Sequence, residues 1–286
     1  MKIVSWNCAG KFREDYETIF KQNADIYVIQ ECENPKDGRE KYKEYKESVE
    51  NFAGKNIFWK GDLHYKGLGV FVNKEITDVK EIPVEGKCKH FIALNIENSF
   101  NLLAVWAMGK DKKEGLPPYV EMIHDFLDEN NKNDNLFNVD KNKNQKIIIM
   151  CGDFNSSAVF NPRHTYKRTH RDINGNPKNH DYLDEKLNDM NLYSVYHEIT
   201  REKSGEEDQV TFFEAKDEEK SFHLDYVYTN KQITDKTTLI KKGEKLNKDS
   251  PNEFEILDDK DWLNLSDHLP LVFDIDEKFL KEIENE

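Results

Sequence analysis

Apolar runs in this chain are short, and most end in clusters of Gly, Asn, Asp or Lys, as expected of strands that close in turns. Lys2–Trp6 (KIVSW) and Ala24–Gln30 (ADIYVIQ) predict buried strands flanking an amphipathic stretch around Asp15–Asn23. Further short strands are predicted at Ile57–Trp59, Gly67–Val72, Phe91–Ile96 and Leu102–Ala107. Lysine- and glutamate-rich Arg39–Phe52 predicts a solvent-faced helix, and Val120, Ile123, His124 and Leu127 fall at helical spacing within Tyr119–Asn130. Lys146–Cys151 (KIIIMC) is the strongest buried-strand signal and ends at Gly152–Asp153. Beyond it, Tyr182–Met190 predicts a helix, Leu192–His197, Gln209–Phe213 and His223–Thr229 strands, Leu269–Ile275 a closing strand and Asp276–Glu284 a terminal helix. Asn130–Gln145 is rich in Asn, Asp and Lys and predicts a surface loop that buries little. Lys231–Leu263 is polar and supports no assignment. Short strands interleaved with helices, without an internal repeat, predict an α+β fold of two sheets in a single domain spanning residues 1–286.

Composition narrows this only a little. A hydrophobic fraction of 37% and 17 Phe, 12 Tyr and 4 Trp are enough for a substantial core. The 42 basic against 56 acidic side chains leave a net charge of −14, which argues against broad electrostatic coating of a nucleic acid but leaves room for a local basic rim. No stretch approaches the roughly 20 apolar residues of a membrane span, and Asn7 interrupts the N-terminal apolar run where a secretion signal would continue. A cytoplasmic protein without membrane association is therefore expected; the sequence leaves oligomeric state open, a monomer being favoured. Cys8, Cys32, Cys88 and Cys151 lack metal-type spacing and read as reduced packing residues.

The chemistry lies at strand ends. Phosphodiesters resist hydrolysis because their charge repels nucleophiles, so their cleavage calls for a metal, a base and oriented donors. Five clusters could supply these: Trp6–Asn7, Gln30–Glu31, Gly152–Asp153–Phe154–Asn155, Leu224–Asp225–Tyr226 and Ser266–Asp267–His268–Leu269–Pro270. Taken singly, Asn7, Glu31 or the Asp153 loop would pass for turn residues and Asp267–His268 for a structural pair. Asp225, an acid inside an apolar run, needs a partner if buried.

In order and separation, the five clusters resemble the endonuclease/exonuclease/phosphatase superfamily, and nearest within it exonuclease III and the abasic-site endonucleases. The opening MKIVSWNCAGKFR is similar to the exonuclease III-type start, and IQE, GDFN, LDY and SDHLPLV follow in family order. The resemblance implies a four-layer α/β/β/α sandwich and a hydrolase dependent on Mg²⁺ or Mn²⁺. It implies Glu31 as the main metal ligand, assisted by Asn7 and Asp267, with Asp153 orienting or deprotonating water and Asn155 donating to phosphoryl oxygens. His268 would contact the phosphate or act as acid or base, with Asp225 fixing its tautomer. The implied substrate is a nucleic acid, foremost DNA; the alternatives are a phosphatase acting on a small phosphorylated molecule or lipid head group, and an inactive binding module that kept the fold.

Two features depart from the family pattern. Members commonly carry a His or Tyr near the end of the strand before the central helix, whereas 102–109 here reads LLAVWAMG. His64, His164 and His170 are candidates for the missing acid. In addition, Asn161–Arg171 concentrates Arg163, His164, Lys167, Arg168, His170 and Arg171 without an acid, which predicts a substrate-phosphate-binding segment in which Tyr166 could stack.

Overall fold

Strand Lys2–Asn7 (β1), helix Phe12–Phe20 (α1) and strand Ile26–Cys32 (β2) open the computed structural model, which describes residues 1–86, 89–108, 119–137, 146–162 and 171–284. They are followed by Lys43–Ala53 (α2), Ile57–Leu63 (β3), Lys66–Val72 (β4), Val79–Ile82 (β5), Phe91–Ile96 (β6) and Phe100–Trp106 (β7). Next come Val120–Asn130 (α3), Ile147–Asp153 (β8), His180–Asp189 (α4), Leu192–Ser194 (β9), Val195–Thr200 (α5), Phe212–Phe213 (β10) and Ser221–Phe222 (β11). The chain closes with Asp225–Asn230 (β12), Lys231–Thr234 (α6), Thr237–Lys241 (β13), Glu244–Lys245 (β14), Asn252–Ile256 (β15), Lys260–Leu265 (α7), Leu271–Asp274 (β16) and Glu277–Glu284 (α8).

These strands form two mixed sheets, ordered β14-β13-β15-β16-β1-β2-β4-β3 and β5-β6-β7-β8-β12-β9, and a small β10-β11 ribbon. Side chains on successive strand residues point to opposite faces. On β7 and β8 this sends Leu102, Ala104, Trp106, Ile147, Ile149 and Cys151 into the seam shared with the other sheet. The alternate positions Leu103, Val105, Ile148 and Met150 pack outward on α3 and α4. Helices α1 and α2 supply Phe12, Ile19, Tyr45, Val49 and Ala53 to the core of the first sheet. The result is the expected four-layer α/β/β/α sandwich. Fully burying a Val, Leu, Ile or Phe side chain stabilises by roughly 1.5–3 kcal/mol, against roughly 0–1 kcal/mol for an exposed ion pair, so the seam and not the surface charge holds the layers.

Three expectations need correction. Leu192–His197 is a strand only to Ser194, after which Val195 starts α5; alternation over six residues cannot separate a strand from a strand-to-helix junction. Lys231–Leu263 carries β13, β14 and β15, all in the larger sheet. Its polarity reflects position, since the sheet ends at β14 and half-buried Glu253 and Glu255 alternate with buried Asn252, Phe254 and Ile256. Within Asn130–Gln145, Leu136 and Phe137 are buried in the outer core, so this polar segment does anchor itself; 138–145 lie outside the described residues. Cys8, Cys32 and Cys151 are buried and free, as expected of packing residues, while Cys88 also lies outside them. No helix among the described residues is long and apolar enough to cross a membrane.

Candidate active site

The period-2 rule that fills the seam also places chemistry at its end. Asp153 continues the inward row Ile147, Ile149, Cys151 of β8, and Asp225 shares a face with inward Val227 on β12. Register sets Trp106, Asp153 and Asp225 side by side, Trp106 opposite Asp153 across the parallel β7–β8 pair and Asp225 opposite it across β8–β12. Asp153 is fully buried. Its approach depends on Gly152, whose φ is +146° and where a Cβ would lie 1.8 Å from the Val105 carbonyl oxygen, so β7 and β8 close here only around a glycine.

Three donors hold the Asp153 carboxylate. The Asn7 side-chain amide reaches across the seam to donate to Oδ2 (2.9 Å), the Asn155 side-chain amide donates to the same oxygen (2.8 Å), and the Asn155 backbone N–H donates to Oδ1 (2.8 Å). Asn155 folds back this way in a left-handed conformation (φ +46°), which Asn tolerates better than most residues. Asn7 spends its own Oδ1 on the backbone N–H of Ala9 (3.0 Å). Asn7 is thus engaged as a donor to Asp153.

On the other wall, His268 Nδ1 and Asp225 Oδ2 are hydrogen-bonded at 2.9 Å, both buried. The histidine loop is tied down from several sides: the Trp6 indole N–H donates to His268 O (3.1 Å), the Ser266 hydroxyl donates to Asn7 O (2.7 Å), and the His268 N–H donates to Ser266 Oγ (3.1 Å). Thr211 Oγ1 accepts the backbone N–H groups of both Leu224 and Asp225 (2.9 and 3.0 Å). Ser266 and Thr211 were not singled out as functional from the sequence. Ser266 stands in the SDHLPLV motif and could have been read as a turn-forming hydroxyl; Thr211 had no local signal.

Glu31 comes from a β-bulge. Between Ile29↔Gly69 and Cys32↔Gly67 the β2–β4 register gains one residue on β2, and Glu31 itself has φ +62°. Glu31 Oε2 lies 2.9 Å from Lys66 Nζ, and the same ammonium sits 5.5 Å from the centre of the Trp106 ring. Asp267 is half-buried, and its side chain makes no hydrogen bond or ion pair with the described residues.

Electrostatics divide the two walls. Burial is the largest influence on Asp153 and raises its pKa to about 7, with Asp225 adding to the rise and His268 and the Asn7 hydrogen bond opposing it. Burial alone would lower His268, but the charge and hydrogen bond of Asp225, then Asp153 and Asp267, raise it to about 9. At neutral pH His268 is therefore an imidazolium, its proton on Nδ1 facing Asp225. Because its folded pKa exceeds the ordinary 6.5, its stabilising contribution is complete below about 6.5 and is lost as pH rises through about 9. Asp153, also raised, acts with the same sign: ionising it as pH rises through about 7 weakens the metal-free fold. Melting curves from about pH 6 to about pH 10 check this. The wild type should lose stability as pH climbs toward 9, and Asp225→Asn should move that loss to lower pH; superimposable profiles would disprove the coupling.

Asp153, Asp225 and His268 each offer a ligand atom within 4.8 Å of one another, close enough to share a metal ion. Since His268 Nδ1 is committed to Asp225 and Asp153 already accepts three hydrogen bonds, this cluster is better matched to moving protons. Glu31 and Asp267 are hard oxygen donors of the kind a divalent cation takes, both partly accessible; among the described residues Asp267 has no side-chain partner, and Glu31 holds an ammonium.

Of the predicted site residues, the structure brings Asn7, Asp153, Asn155, Asp225 and His268 into one bonded network, with Asp267 adjacent in sequence to His268 and Glu31 at the end of β2. Among the candidates for the missing acid, exposed His64 stands in the turn between β3 and β4, and His164 and His170 lie outside the described residues, as do Arg163, Tyr166, Lys167 and Arg168. Arg171 is described; its guanidinium donates to the carbonyl of Gly175 and it faces solvent.

No protein-family profile matches the chain, and no curated protein sequence matches it. Solved structures do. A variant of the 3′ phosphatase NExo from Neisseria, bound to a product DNA hairpin, is 15% identical, with a TM-score of 0.58 over 96% of this chain and 99% of that one. The 3′-5′ exonuclease NExo from Neisseria meningitidis is 14% identical (TM-score 0.59; 96% and 100% covered). An AP endonuclease from Archaeoglobus fulgidus is 16% identical (TM-score 0.56; 96% and 99% covered). The likeness spans nearly the full length of each chain, and this chain has the endonuclease/exonuclease/phosphatase fold that its strand-end motifs resemble.

Proposed function

We propose that this chain is a divalent-metal-dependent phosphodiester hydrolase, a single domain acting on nucleic acid and foremost on DNA. The observation that carries the reading is the pairing of two opposed groups across one seam: a carboxylate clamped by three donors and raised toward neutral pKa, and an imidazolium held by a buried carboxylate. Asp153 then accepts the proton of the attacking water, a role for which a pKa near the working pH is suited. His268 presents Nε2–H to a phosphoryl oxygen, and Asp225 keeps the tautomer and stabilises the charge. Asn155 and Asn7 hold Asp153 in one orientation; Asn155, on the cleft side, also donates to phosphoryl oxygens. Glu31 and Asp267, with Asn7 through oxygen or water, would hold Mg²⁺ or Mn²⁺, which supplies charge neutralisation at phosphorus. Arg163, His164, Lys167, Arg168, His170 and Arg171 would bind further substrate phosphates.

The solved neighbours support nucleic acid over a small phosphate ester. One carries a DNA product, and the Neisseria protein is described both as an exonuclease and as a 3′ phosphatase. Both activities direct water at phosphorus near a DNA 3′ end. Purified protein with Mg²⁺ should therefore cleave at least one of a duplex, an abasic duplex, a single strand or a 3′-phosphorylated oligonucleotide, and lose the activity with EDTA. Phosphate release from inositol phosphates or nucleotides, with every oligonucleotide intact, would reverse the choice of substrate.

A further inference from the structure

Lys66 belongs to none of the strand-end clusters, yet it contacts two of the site's walls. It sits at the start of β4, where the β3–β4 register also gains a residue between Lys60↔Leu68 and Leu63↔Lys66. Two facing bulges thus bring Lys66 and Glu31 together. Gly67 makes room for this approach, since a Cβ there would meet the Trp59 ring at 2.4 Å. The Lys66 ammonium is 2.9 Å from Glu31 Oε2 with both side chains partly exposed, at 30% and 19%. Such pairs are weak and exchange readily with solvent ions.

The second wall is Trp106. Its ring centre is 5.5 Å from the ammonium, within cation–π range, and its backbone is paired with that of Asp153. Trp106 Nε1 is buried and finds no hydrogen-bond partner among the described residues. His90 packs on the same indole at 4.7 Å, and burial lowers its pKa, which leaves Lys66 as the charged group against the ring. A flexible four-carbon stem lets the ammonium leave Glu31 and keep the indole face.

We infer that Lys66 is an exchangeable stand-in for the metal at Glu31: it neutralises that carboxylate in the metal-free protein, is displaced when a divalent cation binds, and then contacts a substrate phosphate oxygen beside Trp106. The inference rests on the proposed metal-dependent reading. It gives the Trp106 end of β7, which carries no imidazole or phenol, a cation for the substrate.

Two measurements test it. The first follows melting temperature against Mg²⁺ alone, without substrate, for the wild type, Lys66→Met and Glu31→Gln. Removing the competitor should lower the Mg²⁺ concentration for half-maximal stabilisation by about threefold or more in Lys66→Met, whereas Glu31→Gln should lose most of the response. The second follows oligonucleotide cleavage at saturating Mg²⁺: in Lys66→Met, KM should rise at least about fivefold, more than kcat falls, and Lys66→Arg should recover most of the loss. Unchanged or weaker Mg²⁺ binding in Lys66→Met, with the wild type responding normally, overturns the stand-in role alone. A wild-type melting temperature indifferent to Mg²⁺ overturns the metal reading and this inference with it.

Discussion

Asp153→Asn is expected to lower turnover at least about a hundredfold while the protein remains folded. The substitution keeps size and burial but removes a carboxylate clamped where it can take a proton from water. It also cannot restore the clamp. Oδ2 accepts two amide N–H groups and Oδ1 accepts the Asn155 backbone N–H; a carboxamide has one oxygen, so at least one donor faces an NH₂. A buried donor left without an acceptor costs about 1–3 kcal/mol, enough to loosen the Asn155 turn but not the seam between the sheets. Steady-state kinetics beside circular dichroism would separate lost chemistry from lost fold. Glu31→Gln and His268→Ala should fall in the same range, the first by removing the carboxylate proposed to hold the metal and the second by leaving Asp225 buried without its partner. Wild-type rates in all three would refute the site.

The share of this site that could be read in the sequence has a physical boundary. Asp153, Asn155, Asp225 and His268 were legible because the clusters that hold them follow apolar runs in an order that resembles a known family; period 2 fixes the face only of Asp153 and Asp225, which lie within β8 and β12, whereas Asn155 and His268 stand in loops. Asn7 was legible as a site member, but its expected part as a ligand depended on three-dimensional detail: which atom of the amide is spent on Ala9 and which on Asp153. Lys66 was invisible for a related reason. It lies in a polar hairpin, and only two added residues, one on β2 and one on β3, turn it toward Glu31; a bulge shifts register by one without changing the local pattern of apolar and polar residues. The pattern of apolar and polar residues also missed β13 and β15, which bury Thr237, Thr238 and Asn252 beside half-buried Glu253 and Glu255, and blurred the junction of β9 with α5. Four layers were inferred from a resemblance of motifs, and the alternating burial on β6, β7 and β8 supplies the physical cause: each is apolar on both faces because each is covered on both.

Gly152→Ala tests whether the fold and the site share one cause. At φ +146° an alanine is strained before any contact is considered, and its Cβ would lie 1.8 Å from the Val105 carbonyl oxygen and 2.8 Å from its carbon. Both obstacles are backbone, so no rotamer change relieves them. Relief requires β7 and β8 to part at the row that holds Trp106, Asp153 and, across β12, Asp225. Strain at such a φ costs of order 1–3 kcal/mol and forced overpacking a similar 1–3 kcal/mol, so a loss of about 4 kcal/mol is expected, a large share of the roughly 5–15 kcal/mol that stabilises a typical native protein. Chemical denaturation should show a fall in midpoint with little change in slope, and activity should fall further than the unfolded fraction explains, because Asp153 moves with the strand. An alanine variant as stable as the wild type would mean that β7 and β8 do not close as tightly as the register implies, and the clamp around Asp153 would then need another origin.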